Sequence, residues 1–171
     1  MTKIIQAMKQ VKDLQRKAED LRKKVTMQCA HLSFETPTYG AEQKQTVRGW
    51  VQSYQDITKE ILKLRVAIQK TNINTMVKIE LGGVTVEKSI AEWIHRRRDL
   101  AKMDEAIWGA LTDRGLKEGK GKTTTGDEFD AKIVRNFDPV ERDNKLELYR
   151  SEPMTIDATL EVVNAVTDLM E

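Results

Sequence analysis

Three short stretches of this chain hold the residue types best suited to chemistry. Gly121-Lys122-Thr123 matches the end of a phosphate-binding loop, in which backbone amides and a lysine cradle phosphate oxygens. That loop also needs a glycine five residues before its Gly-Lys pair, where this chain has Leu116, and no apolar strand leads into it. A solvated loop is the better reading. In the second stretch Trp93 and His95 precede Arg96, Arg97 and Arg98, an aromatic beside three arginines that would suit phosphate contact. Consecutive residues fan around a helix instead of sharing a face, so at least one arginine is expected to pair with Glu92 or a carboxylate of the C-terminal half. Lys117, Lys120 and Lys122 form the third stretch, a candidate partner-contact loop able to neutralise phosphates, with Asp127, Glu128 and Asp130 close behind to oppose that use.

Catalysis needs a nucleophile beside a base, paired carboxylates in an apolar setting, or a metal-binding triad, and none of these stands out. His95 lies among arginines with no serine or cysteine partner in the pattern. The only histidines are His31 and His95, and Cys29 is the single cysteine, which is too few for a zinc site and rules out an intramolecular disulfide. The expectation is a protein without catalytic, cofactor-binding or metal-binding residues, not an enzyme.

With 171 residues, 33% of them charged, 39% hydrophobic and only 3 prolines, the chain has the composition of one helix-rich soluble domain. No window approaches the roughly 18 consecutive apolar residues of a spanning helix, and the N-terminus is polar where a signal peptide would be apolar. A cytoplasmic protein without membrane contact is expected. The net charge of +2 conceals an asymmetry, because residues 1–75 carry 14 Lys and Arg against 7 Asp and Glu, whereas residues 76–171 carry 15 against 20. Such halves attract one another within or between subunits; a basic half also attracts nucleic acid.

The elements that position these residues follow from apolar spacing. Ile4, Ala7, Val11, Leu14, Ala18, Leu21 and Val25 recur in steps of three and four, as in a heptad seam. After a break at 34–43, marked by Pro37 and Gly40, the pattern resumes at Val47, Trp50, Tyr54, Ile57, Ile61, Leu64 and Ile68. Residues 1–74 therefore read as an antiparallel coiled-coil hairpin, its small Ala7 and Ala18 leaving room for bulky partners such as Trp50 and Tyr54. These seam residues are the candidate interface through which the protein oligomerises.

Residues 75–171 read as a small α+β base. Val77, Ile79 and Leu81, then Gly82-Gly83, then Val84 and Val86 predict a β-hairpin. Ser89 and Glu92 form a capping box opening a third helix that ends near Arg114 and Gly115. Residues 115–128 are expected to form an exposed loop, and 132–137 to add a third strand to the hairpin. Asp138, Pro139 and Glu141 open a fourth helix. A final helix follows Pro153, with Ile156, Leu160, Val163, Val166 and Met170 on one side. The fold class is mainly α with a small β element.

Thr71-Asn72, Gly83-Val84-Thr85, Ala91, Arg98-Asp99-Leu100, Ile133-Val134-Arg135, Ile156-Asp157, Asn164-Ala165, Thr167 and Leu169, in that order, give the chain a pattern that resembles the septicolysin-like family of small helical bacterial and bacteriophage proteins. The resemblance implies a coiled-coil hairpin with a small β element and a helical return, oligomeric and without established catalytic residues. Its phage members imply a virion component, in capsid or tail. The chain departs from the family where Ala165 follows Asn164 in place of a tryptophan, and it lacks the long alternating strands of a membrane pore. The expected function is that of a non-enzymatic structural protein that oligomerises or docks onto a larger assembly, in the cytoplasm or in a virion. The alternative is a nucleic-acid-associated or regulatory adaptor using the basic half.

Overall fold

Apolar side chains at alternating three- and four-residue steps wind the first part of the chain into two long helices. A computed structural model describes residues 1–170: α1 is Ile4–Gln28 and α2 is Gln43–Asn74, with a 3-10 turn at Gly40–Glu42 between them. The two pack along their length as an antiparallel hairpin. Strands β1 (Met76–Leu81) and β2 (Val84–Ser89) pair next, joined by Gly82 and Gly83 at φ +57° and +79°. Two successive positive φ values are what a two-residue type I′ hairpin turn needs, and glycine adopts them without a Cβ clash.

Helix α3 (Ile90–His95) runs through a π-helical turn at Arg96–Leu100 into α4 (Ala101–Gly109). The helix therefore ends well short of Gly115. Its last turn tightens, with the Ala110 and Leu111 amides bonding to Ile107 and Trp108, while Arg142 donates to the Leu111 carbonyl at 3.0 Å. Arg114 and Gly115, at φ +57° and +71°, form a separate turn farther on.

The segment expected to be one exposed loop contains strand β3 (Gly119–Lys122), which pairs antiparallel with β4 (Glu128–Ala131) in a sheet of its own. A Cβ on Gly121 would lie 2.4 Å from the Phe129 ring, so the aromatic covers the glycine and supplies the apolar contact that a Gly-Lys sequence lacks. The expected strand at 132–137 does not form, and β1 and β2 remain a pair. Side chains hold that segment instead: Arg135 binds Asp113 through two contacts of 2.7 Å, and the Ile133 amide bonds to Glu118.

The two expected C-terminal helices are one, α5 (Pro139–Val166), with Pro153 inside it. Asp138 caps its start by accepting from the Val140 amide at 2.8 Å. An interior proline costs about 3 kcal/mol through a lost bond and a ring clash. Burial of Glu152, Ile156 and Leu160 on either side of it anchors both halves and offsets that cost. Of the line Ile156, Leu160, Val163, Val166 and Met170, the first two are buried and the last two exposed.

The chain forms two compact units. One comprises residues 1–76 and 89–91 with the chain from Leu160 onward, and so takes in more than the hairpin of 1–74. In it Ile4, Ala7, Val11, Leu14, Ala18, Thr71, Ile90 and Leu160 are buried. The C-terminal segment is stitched on by backbone bonds from Ile4 to Thr167 and from Leu169 to Thr2, and by the Met170 amide on the Thr71 hydroxyl at 2.9 Å. The other unit, residues 77–88 and 92–159, buries Val77, Ile79, Trp93, Ala101, Glu152 and Ile156.

Candidate interaction surface

The hairpin seam closes within the chain. Gln10 donates to Glu60 at 3.0 Å and Gln43 to the Gln28 carbonyl at 2.9 Å, which fixes the antiparallel register. Counting from these bonds places Ile4 level with Ile68, Ala7 with Leu64, Val11 with Ile61, Leu14 with Ile57, Ala18 with Tyr54, Leu21 with Trp50, and Val25 with Val47. The small Ala18 thus faces the bulky Tyr54, as its size suggests. On α1 the seam is buried from Ile4 to Ala18 and half-buried at Leu21 and Val25; on α2 all of it is half-buried except Tyr54, at the edge of exposure. Two helices alone bury one stripe and leave both flanks of it open.

The flanks differ in chemistry. One is a polar hollow lined by Gln6, Lys9, Gln10, Asp13, Lys17 and Glu60. The other holds an apolar groove of about 310 Å³ lined by Arg22, Val25, Thr26, Val51 and Tyr54. At about 100° per residue, Val51, Leu62, Val66 and Ile73 fall within an arc of roughly 60° on α2, turned to the same side of the seam as this groove. Ile5 and Met8 occupy the same side of the α1 seam, and in an antiparallel pair these two sides form one face. All six side chains are exposed, Leu62 at 63% and Ile73 at 57%. Glu19 on this face is held below the usual carboxylate range by its hydrogen bond to Arg22, whereas Lys12 and Arg65 pair with no carboxylate among the described residues. The flank is apolar with a basic edge.

The candidate partner-contact loop is neutralised locally. Lys120 lies opposite Asp130 and Lys122 opposite Glu128, the second pair 3.7 Å apart, while Lys117 precedes the strand. Thr123 bonds with Asp127 through its amide and its hydroxyl, so the Gly-Lys-Thr stretch closes a hairpin turn instead of opening a phosphate cradle.

The three arginines pair with carboxylates as their fanning requires. Arg96 grips the buried Glu152 with both arms of its guanidinium, bonds Asp104, and lies 5.4 Å over the Tyr149 ring. Hydrogen bonding to Glu152 holds this guanidinium far above its ordinary pKa, so it stays charged. Arg97 pairs with Asp157 and Arg98 with Asp99. His95 Nδ1 is 3.1 Å from Arg98, and Cys29 is exposed.

Sequence reasoning missed two features. Gln43, buried at the hairpin tip, binds Gln28 and the Tyr39 amide, and Tyr39 meets Trp50 edge-on at 5.5 Å. A glutamine opening a polar helix gives no signal of burial. The apolar flank was legible as Val51, Leu62, Val66 and Ile73, but the stronger seam pattern hid it.

No family model matches the chain, and no curated protein is similar to it. The chain is similar in structure to a functionally unknown conserved protein from Corynebacterium diphtheriae, at a TM-score of 0.58 and 18% identity over 99% of each chain. At that identity the likeness shows the fold alone.

Proposed function

We propose that this protein is a non-enzymatic assembly protein that self-associates through its helical hairpin. The observation that carries the reading is the apolar flank of Ile5, Met8, Val51, Leu62, Val66 and Ile73, which remains exposed after the seam has closed. Exposed apolar side chains gathered on one face mark an interaction site, and burying them removes apolar area from water. The partner surface is thus the flank and not the seam. A second copy in the cytoplasm is the partner proposed, and a virion component is the form this role takes if the septicolysin-like resemblance extends to phage members.

Sedimentation equilibrium on the protein and on the double variant Leu62→Asp, Val66→Asp tests the reading. The original chain is expected to form a discrete oligomer and the variant, with unchanged helicity, a monomer. Equal masses for the two would overturn it. A second reading, nucleic-acid association, draws on the net +7 of residues 1–75; it predicts binding that weakens steeply as salt rises, whereas the assembly reading predicts little binding even at low salt.

A further inference from the structure

The flank has a counterpart on the second unit. Along α5, Val140, Glu147 and Met154 follow at seven-residue steps, with Ala158 four residues beyond, and place one line of side chains on one side of the helix. Val140 is 67% and Met154 75% exposed. Glu147 has no ion-pair partner among the described residues. Of the cations of this stretch, Arg142 is engaged with Asp143 and the Leu111 carbonyl and Arg150 with Glu105, while Lys145 falls on the opposite side of the helix from Glu147. This face is apolar and acidic, and the hairpin flank is apolar with the unpaired cations Lys12 and Arg65.

Resting on the self-association proposed above, we infer that the contact between copies is head-to-tail: the hairpin flank of one copy receives the Val140–Glu147–Met154 face of α5 of the next. Charge argues for this occupant. Two hairpin flanks face to face would bring together two regions of net +7, whereas hairpin against α5 joins a basic half to one of net −5. Opposite charge at the rim of an apolar contact selects the partner face and makes the contact salt-sensitive. A contact between two different surfaces repeats at every copy, and the discrete oligomer expected above is a ring in which the last copy meets the first.

Mixing two crippled chains tests it. Leu62→Asp, Val66→Asp removes the flank but keeps α5, and Met154→Asp does the reverse; all three positions are exposed, and circular dichroism verifies the helices. Each variant alone is expected to be a 19.6 kDa monomer, and an equimolar mixture to give a complex of two chains and nothing larger, weakened as salt rises. If Met154→Asp assembles like the original protein, the head-to-tail contact is overturned while self-association stands. Two monomeric variants that stay monomeric when mixed also overturn it. An original chain that is itself monomeric overturns both. Leu62→Gln with Val66→Gln, and Met154→Gln, repeat the test should an aspartate lower the helical signal.

Discussion

Arg96 is the residue on which the second unit's polar interior depends. Its guanidinium is the counter-charge of Glu152, whose side chain is only 3% exposed, and removing one member of such a pair strands the other. Arg96→Met is expected to cost about 3–5 kcal/mol in urea unfolding. Arg96→Lys should recover part of that, since an ammonium keeps the charge but not the two-armed geometry. A loss below 1 kcal/mol for Arg96→Met would contradict the pairing. Asp113 offers a pH test. Arg135 holds its carboxyl below the ordinary 3.8, so its contribution is present above that value and lost as pH falls through the lower folded value. Protection of the amides around Ile133, taken relative to their intrinsic exchange rate at each pH, should therefore fall only in acid. That the arginines would find carboxylates was legible, because three in a row cannot share a face. That Glu152 would be the buried partner was not, since 56 residues separate it from Arg96 and its burial depends on packing that no local pattern encodes.

At the scale of elements, the seam supplies the hairpin's buried apolar contact. Ile57→Asp with Ile61→Asp puts charges level with the buried Leu14 and Val11, and the hairpin is expected to lose most of its helical circular dichroism, because a carboxylate set against them loses part of its water. Retained helicity would contradict the register. The β3–β4 hairpin is a separable element. Gly121→Val would drive a side chain into the Phe129 ring, so its strand resonances should collapse while those of α1 and α2 stay unchanged. The long helices and the Gly82-Gly83 turn were legible because their spacings are strong and local. Strand β3 was not: glycine and lysine have low strand propensity, and the Phe129 ring that covers Gly121 comes from across the sheet. Pro153 read as a helix boundary for the same reason in reverse, since burial of Glu152 and Ile156 overrides a local breaker. The π-helical turn at Arg96–Leu100 left no trace in the spacing.

At the scale of the whole molecule, Ile5, Met8, Val51, Leu62, Val66 and Ile73 stay exposed although the seam beside them has closed. The charge division between the halves was plain from the sequence and gives that surface a direction, since a basic-edged flank fits an acidic one better than itself. Association between such surfaces combines apolar burial, which salt leaves in place, with rim attraction, which salt screens over about 8–10 Å near physiological strength. The most direct measurement is the mass of the unmodified protein by light scattering at low and at moderate salt. A discrete species larger than 19.6 kDa, shifting toward smaller mass as salt rises, is the predicted result; a 19.6 kDa monomer at both salt concentrations would contradict assembly through the hairpin flank.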